Sequence, residues 1–399
     1  MYNLKVSVIG AGAQGSATAF VLTKISDATV VAADVNLNVA KKAVESIKSD
    51  KVCAEKVDAS KIEDIVRVAK GSDVIVNACM PRFNFNIMEA ALKTGANYID
   101  YAGDVPCKDF VPKELAYDAK FKDAGLTAVI FTGGPFVTNA AIKYAADRLD
   151  SVDEIRMRLG GTPREREFIP TWTPGWCPEI ALVEWIYPMV YENGKWKDVP
   201  PFSGVEEYMF PEPVGGPVTV THVDYEPVHT LPRFIKGVKY VEQKNHPDIM
   251  AGSLIKMGFA NKEPIDVKGV KVAPIDVLLA LTPTATETRL KWEKERTAET
   301  KEKESYFCSL AEVKGEKDGE KITHTVFRLA RQGEEKERWG RSGVSVGVPG
   351  GVTAVMIEKG EIKTKGVVPP EGLDVDLYLS RLAENGFVYH ESITRPIQV

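Results

Sequence analysis

Two textures of apolar and polar positions divide the chain. From residue 4 to about 131, short apolar runs alternate with stretches whose apolar residues recur at helical spacing. Leu4–Ile9, Ala28–Ala33, Val52–Val57, Asp73–Asn77, Asn97–Ile99 and Leu126–Phe131 read as strands. Between them Ser16–Ile25, Asn38–Ser49, Lys61–Lys70, Phe85–Thr94 and Pro112–Ala124 read as helices, with Gly95 and Gly125 as stops. The run Asp73–Asn77 is nearly all apolar, as a central parallel strand must be. This alternation predicts α/β architecture: a doubly wound parallel sheet of the Rossmann kind over residues 1–135.

Past residue 150 the rhythm is lost. Asp153–Leu159 alternates as a strand, residues 163–235 are rich in Pro, Trp and Tyr, and Glu179–Tyr187 and Asp248–Gly258 read as helices. Asn193-Gly194 and Asp318-Gly319 are hairpin turns, the second joining Tyr306–Val313 to Lys321–Leu329. Thr284–Glu304 is a charged helical stretch, read as a solvated face. An α+β domain with a mixed or antiparallel sheet is therefore expected over 136–344. In the tail, Gly347–Gly351 precedes a helix over 352–359, residues 366–371 read as a loop, and 375–385 as a last helix.

The first strand runs directly into Gly10-Ala11-Gly12-Ala13-Gln14-Gly15, and the second ends at Asp34, nineteen positions after Gly15. This is a dinucleotide-binding fingerprint. Gly10 permits the tight turn, Gly12 lets the backbone approach a pyrophosphate, and Gly15 brings the helix close to the strand. The helix N-terminus offers its amides to the phosphates. A tight turn with no ligand is the alternative reading. Asp34 is placed to accept hydrogen bonds from the adenosine ribose. Residues 33–40 contain no arginine or lysine, so NAD is expected in preference to NADP.

Composition narrows the function classes. A 44% hydrophobic and 27% charged chain is a globular protein, and a net charge of −5 leaves no basic footprint for nucleic acid. No apolar run approaches membrane-spanning length, and no signal peptide is expected ahead of the strand at Leu4. The five cysteines show no metal-ligand spacing and no disulfide framework, which fits a reducing cytoplasm.

Several runs together resemble the saccharopine dehydrogenase-like family, most of all its lysine 6-dehydrogenase-like members. They are GAGAQG at 10–15, ADVN at 33–36, VDAS at 57–60, DVIVNACMP at 73–81, GANYIDYAG at 95–103 and GLTAVIFTGGPFVTN at 125–139. LGGTP at 159–163, TWTP at 171–174, YENGK at 191–195 and the tail GVPGGVTAVMIEKGEIKTKGVVPPE at 347–371 complete the resemblance. One run departs: the family's Asp-Pro-Gly is replaced here by Gly134-Pro135-Phe136. The resemblance implies hydride transfer between a nicotinamide cofactor and a C–N bond of an amino acid or amino acid conjugate. It also implies that residues 345–399 pack back onto the first domain and that the middle region builds a homodimer. A non-catalytic nicotinamide-binding regulator on the same fold is the alternative.

Ligands of doubly wound sheets sit at the carboxyl ends of the strands. That edge nominates Gly10, Gly12, Ala13, Gln14, Gly15, Asp34, Asp58, Ala59, Asn77, Ala78, Met80 and Pro81 for the cofactor. Asp100, Tyr101 and His229 are candidates for base or proton relay, since amine oxidation needs a proton acceptor. Asp100 as a helix cap or buried structural carboxylate is the competing reading. Arg82 and Arg233 are candidate carboxylate clamps, with a surface ion pair as the alternative for each. Trp172 is a candidate pocket wall or core residue. Cys79 is read as packing, and no metal is expected.

Overall fold

The computed structural model describes residues 4–103, 111–133, 138–162, 172–284, 287 and 305–397. The first half builds strands β1 (Lys5–Ile9), β2 (Thr29–Asp34), β3 (Val52–Lys56), β4 (Val74–Asn77), β5 (Asn97–Asp100) and β6 (Thr127–Val129). Helices α1 (Ala13–Ile25), α2 (Leu37–Ile47), α3 (Ile62–Val68), α4 (Asn84–Thr94) and α5 (Asp118–Asp123) connect them. Then follow α6 (Thr138–Ala146), β7 (Ser151–Gly161), α7 (Pro178–Val183), β8 (Met189–Glu192), β9 (Lys195–Asp198), β10 (Glu206–Tyr208) and β11 (Val218–His222). Next are α8 (Glu226–Phe234), β12 (Tyr240–Asn245), α9 (Ile249–Lys256), β13 (Ile265–Val267), β14 (Val270–Val272) and α10 (Pro274–Leu281). The last elements are β15 (Tyr306–Lys317), β16 (Glu320–Arg331), α11 (Glu334–Trp339), α12 (Gly347–Glu358), β17 (Gly366–Val368), α13 (Val375–Glu384) and β18 (His390–Thr394).

The first sheet is parallel throughout, in the order β17-β6-β5-β4-β1-β2-β3. Every residue of β4 is buried, because helices cover both faces of the sheet. One apolar layer joins α1, α2, α12 and α13 to the sheet; the other joins α3, α4 and Phe121 of α5. Helix ends follow local chemistry. Asn36 caps α2 by accepting from the Asn38 amide, and α4 stops at Gly95 with φ 70°.

The second sheet is mixed, in the order β10-β11-β12-β7-β15-β16-β18, with β8 on β12 and β9 on β8. Only its β12–β7 pairing is parallel among those described. Helices α6 and α8 cover one face through Ala141, Ile142, Ala145, Val228 and Leu231. Both expected hairpins are present. Asn193 and Gly194 have φ 49° and 86°, and Asp318 and Gly319 have φ 52° and 79°, the paired positive values that a two-residue turn of this kind requires.

Four expectations need correction. Residues 366–368 are not loop but strand β17, paired with β6; three residues are too few to show a period. Gly347–Gly351 does not precede a helix but forms the first turns of α12. Its glycines allow close helix contact: a Cβ on Gly347 would lie 2.5 Å from the Ala17 carbonyl carbon of α1. Pro227–Leu231 is not irregular but lies in α8. Pro227 occupies the first turn, where no amide partner is needed. Pro232 removes the bond to the Val228 carbonyl four residues back, and that oxygen instead accepts the Trp196 indole N–H at 2.9 Å. Residues 112–124 split into a tight turn, Lys113–Tyr117, and the short α5. Apart from Thr284 and Glu287, the charged stretch 284–304 lies outside the described residues, as does Gly134-Pro135-Phe136.

Candidate functional site

The glycine turn has the backbone geometry its spacing implies. Gly10 has φ 96°, and a Cβ there would lie 2.7 Å from the Ala78 carbonyl oxygen. A Cβ on Gly15 would lie 1.8 Å from the Gly10 oxygen, so helix and turn touch backbone to backbone. Gly12 faces open space, with nothing within 4 Å of its virtual Cβ. Helix α1 starts at Ala13 with no side-chain cap and no acid in its first turn. The amides of Ala13, Gln14 and Gly15 therefore present the positive helix end to that space, a setting that fits a pyrophosphate.

Asp34 closes this edge. Its Oδ2 accepts from the Ala11 amide and its Oδ1 from the Asn36 amide, each at 3.0 Å. Each carboxylate oxygen keeps a further lone pair for a ribose hydroxyl. Asp58 accepts from the Ser60 amide and hydroxyl at 3.0 and 2.6 Å, which hold its carboxyl below the usual range. The Ala59 carbonyl takes the Asn86 amide at 3.1 Å. Asn77 is buried: it donates to Asn84 and Tyr98 and accepts from the Cys79 amide at 3.0 Å, so its side chain shapes the loop. Ala78 lies against Gly10, Pro81 opens a tight turn, and the Met80 sulfur lies 3.1 Å from the Cys177 thiol. The Cys79 thiol donates to the Ile9 carbonyl, and burial pushes it up to about 12.

Asp100 and Tyr101 are buried at the end of β5. Asp100 is 1% exposed, and its Oδ1 accepts from the Phe131 amide at 2.7 Å. Burial first, and Glu114 next, hold its carboxyl well above the usual range. The Tyr101 hydroxyl bonds Thr18 of α1, and a Cβ on Gly350 of α12 would touch it. That places the ring in the packing between sheet and helices. Thr132 caps the same strand end by donating to the Asp100 carbonyl at 2.6 Å.

His229 is fully buried in α8, with its Nε2 2.7 Å from Asp224 Oδ1. Its neighbours include a group the sequence reading missed. Glu226, the first residue of α8, is 3% exposed, and its Oε1 accepts from the Gly103 amide at 2.9 Å. Gly103 belongs to the loop after β5, so Glu226 joins the strand edge to the second sheet's helix. Burial raises the Glu226 carboxyl to about 7, while the Gly103 amide pulls it down. Glu184, just past α7, is also buried, and burial and Glu226 hold it well above the usual range. The one hint in the sequence was Asp224-Tyr225-Glu226-Pro227, an acidic lead into a first-turn proline.

The two arginines are not brought together. Arg82 pairs with Glu179 of α7 at 3.2 Å, and Lys262 pairs with the same carboxylate at 2.9 Å. Arg233 sits in the last turn of α8, donating to the His229 carbonyl and stacking over Trp196, away from Glu226 at the helix start. Trp172 is core: it packs with Ala181, Leu182 and Trp185, and its indole donates to Asp248 at 2.8 Å.

Residues 6–129 match the saccharopine dehydrogenase NADP binding domain, and residues 133–387 match the saccharopine dehydrogenase C-terminal domain. Carboxyaminopropylagmatine dehydrogenase of Synechocystis is 26% identical, over 98% of each chain. Carboxynorspermidine synthase of Vibrio cholerae is 26% identical, over 96% of this chain and 95% of its own. Saccharopine dehydrogenase (L-Glu forming) from Saccharomyces cerevisiae, solved in its apo form, shares the fold. Its TM-score is 0.69 at 15% identity, covering 99% of this chain and all of that one. Among the described residues no helix is long and apolar enough to cross a membrane, and no group of His, Cys, Asp or Glu is arranged to hold a metal ion.

Proposed function

This chain belongs to the saccharopine dehydrogenase family and is a nicotinamide-dependent oxidoreductase; on that premise, we propose that it acts on the C–N bond joining an amine to an amino acid-derived carbon chain. The names of the Synechocystis and Vibrio relatives describe carboxylated amines with more than one nitrogen, and they favour such conjugates ahead of free lysine or saccharopine. The amides of Ala13, Gln14 and Gly15 would hold the pyrophosphate and Asp34 the adenosine ribose. The nicotinamide, when bound, accepts or returns the hydride.

The observation that carries the reading is Glu226. It is a buried carboxyl raised to about 7, hydrogen-bonded to the strand-edge loop and mounted on the first turn of a rigid helix. In this reading Glu226 takes the proton from the substrate nitrogen as the hydride leaves the neighbouring carbon. Its value near neutrality suits transfer in both directions. Asp100 and His229 serve as buried positioning groups, and Arg82 with Glu179 lies beside Met80 where the two sheets' elements meet.

Absorbance of the reduced nicotinamide tests this. The enzyme is offered NAD with saccharopine, lysine, carboxynorspermidine and carboxyaminopropylagmatine, and in reverse NADH with pairs of amine and aldehyde-bearing amino acid. Turnover of a conjugate supports the reading. Tight NAD binding with no turnover on any amine supports a regulator instead.

A further inference from the structure

Buried carboxylates without partners are costly. An uncompensated polar group in the interior loses one to several kcal/mol, and a charged one loses more. Among the described residues, Glu184 Oε1, Asp224 Oδ2 and His229 Nδ1 are buried with no hydrogen-bond partner. Glu184 is 3% exposed and Asp224 1%. The two are adjacent in space: the Asp224 amide donates to the Glu184 carbonyl at 2.9 Å. Glu184 also feels Glu226, Asp248 and Asp224, all acids, with a Tyr225 hydrogen bond as its relief. His229 is the basic group set against Asp224. A metal ion does not account for the cluster, since the described residues hold no metal-binding group.

We propose that Glu184 and Asp224 form a subsite for a second cationic nitrogen of the substrate, an ammonium or guanidinium remote from the reacting carbon. The proposal rests on the amine-conjugate reading above and gives that reading a charge requirement. Glu226 accepts from the Gly103 loop and interacts with both Asp224 and Glu184, which links the pair to the proposed proton acceptor. Helix α7 sets the spacing. It starts beside Cys177, which touches Met80 at the cofactor edge, and ends at Glu184. Seven residues at 1.5 Å each put the subsite about 10 Å from that edge, a distance an aliphatic chain with a charged end can bridge. Burial and Glu226 disfavour the charged form of Glu184; a guanidinium seated against it and Asp224 would favour that form, and its fork of donors would meet two acceptors.

Butylguanidine and its neutral isostere butylurea are the probes, titrated calorimetrically into the full-length enzyme saturated with NAD. Butylguanidine is expected to bind at least about tenfold tighter than butylurea. Glu184→Gln and Asp224→Asn are each expected to weaken it by about tenfold or more while leaving NAD affinity unchanged. Equal affinities for the two probes in the wild-type protein overturn the proposal whatever the variants do. So does unchanged butylguanidine binding in both variants. Turnover of saccharopine with no preference for butylguanidine defeats the subsite but leaves the oxidoreductase reading standing. Preference for butylguanidine with no turnover on any amine does the reverse.

Discussion

At the scale of single residues, a proton acceptor is set by surroundings more than by residue type. Asp100 and Glu226 are both buried acids near the same loop, yet only Glu226 has a carboxyl raised to about 7, while Asp100 is held well above its ordinary range. Glu226→Gln keeps the Gly103 hydrogen bond and removes the titration. It should lower kcat by roughly 10² to 10⁴ and abolish the rise of rate with pH through about 7. A rate profile whose rising limb survives in the variant would remove Glu226 from the chemistry. The expected choice of cofactor rests on Asp34. Its carboxylate opposes a 2′-phosphate, and the nearest following cations, Lys41 and Lys42, lie exposed on α2. NAD should bind at least about tenfold tighter than NADP, about 1.4 kcal/mol. Calorimetric constants that are equal, or that favour NADP, would show that Asp34 does not reach the ribose.

At the scale of elements, the contact between α1 and α12 is a close approach of two helices made possible by glycine. A methyl group on Gly347 meets the backbone of Ala17 and Thr18 at 2.5 and 2.6 Å, and backbone cannot step aside as a side chain can. Gly347→Ala should cost about 1–3 kcal/mol in urea unfolding, and an unchanged midpoint would mean the helices part freely. This contact also marks the limit of what the chain discloses in advance. Strands β1 to β6 and the glycine turn were legible because their periods and glycines are local properties. Helix α12 was read as starting after its glycines because glycine ordinarily ends helices, and only the neighbouring helix explains it. Helix α8 was hidden by Pro227 and Pro232, whose missing amides are compensated by position and by Trp196. Glu184 and Glu226 belong to no motif: they stand 42 positions apart and meet only once two elements pack. The resemblance to saccharopine dehydrogenases was legible; Asp100, Tyr101 and His229 were nominated for proton transfer, and Glu226, three residues before His229 in the same helix, carried no signal beyond its place ahead of Pro227.

At the scale of the whole molecule, buried acids give stability an unusual pH slope. Glu226 has an ordinary value of 4.5 and a folded value of about 7. Between these, the unfolded chain has lost the proton while the folded chain keeps it. Its contribution is therefore full below about 4.5 and lost as pH rises through about 7, on the order of 3 kcal/mol. Glu184 and Asp100 shift in the same direction. Glu242, held below its usual range by His222 and Arg158, is ionised in both states above about pH 5 and adds no slope there. The urea midpoint should fall between pH about 5 and about 8, and a flat or rising midpoint would contradict these shifts. A second expectation is a homodimer. Ile249, Met257, Val270 and Leu281 expose an apolar face across α9, the β13–β14 hairpin and α10, and a patch of that kind commonly meets a second copy. Light scattering should give twice the chain mass, and Leu281→Glu should shift it toward the monomer; a monomeric wild type would refute the contact. The return of β17 to the first sheet has a consequence for biosynthesis. Translation completes β6 more than 230 residues before its neighbour Gly366–Val368 exists. Until then a growing chain presents a naked strand edge and a bare stripe of α1 at Ala17 and Val21, the surfaces that invite association with other nascent chains. The nucleotide-binding half, made first, is thus completed only near the end of the chain.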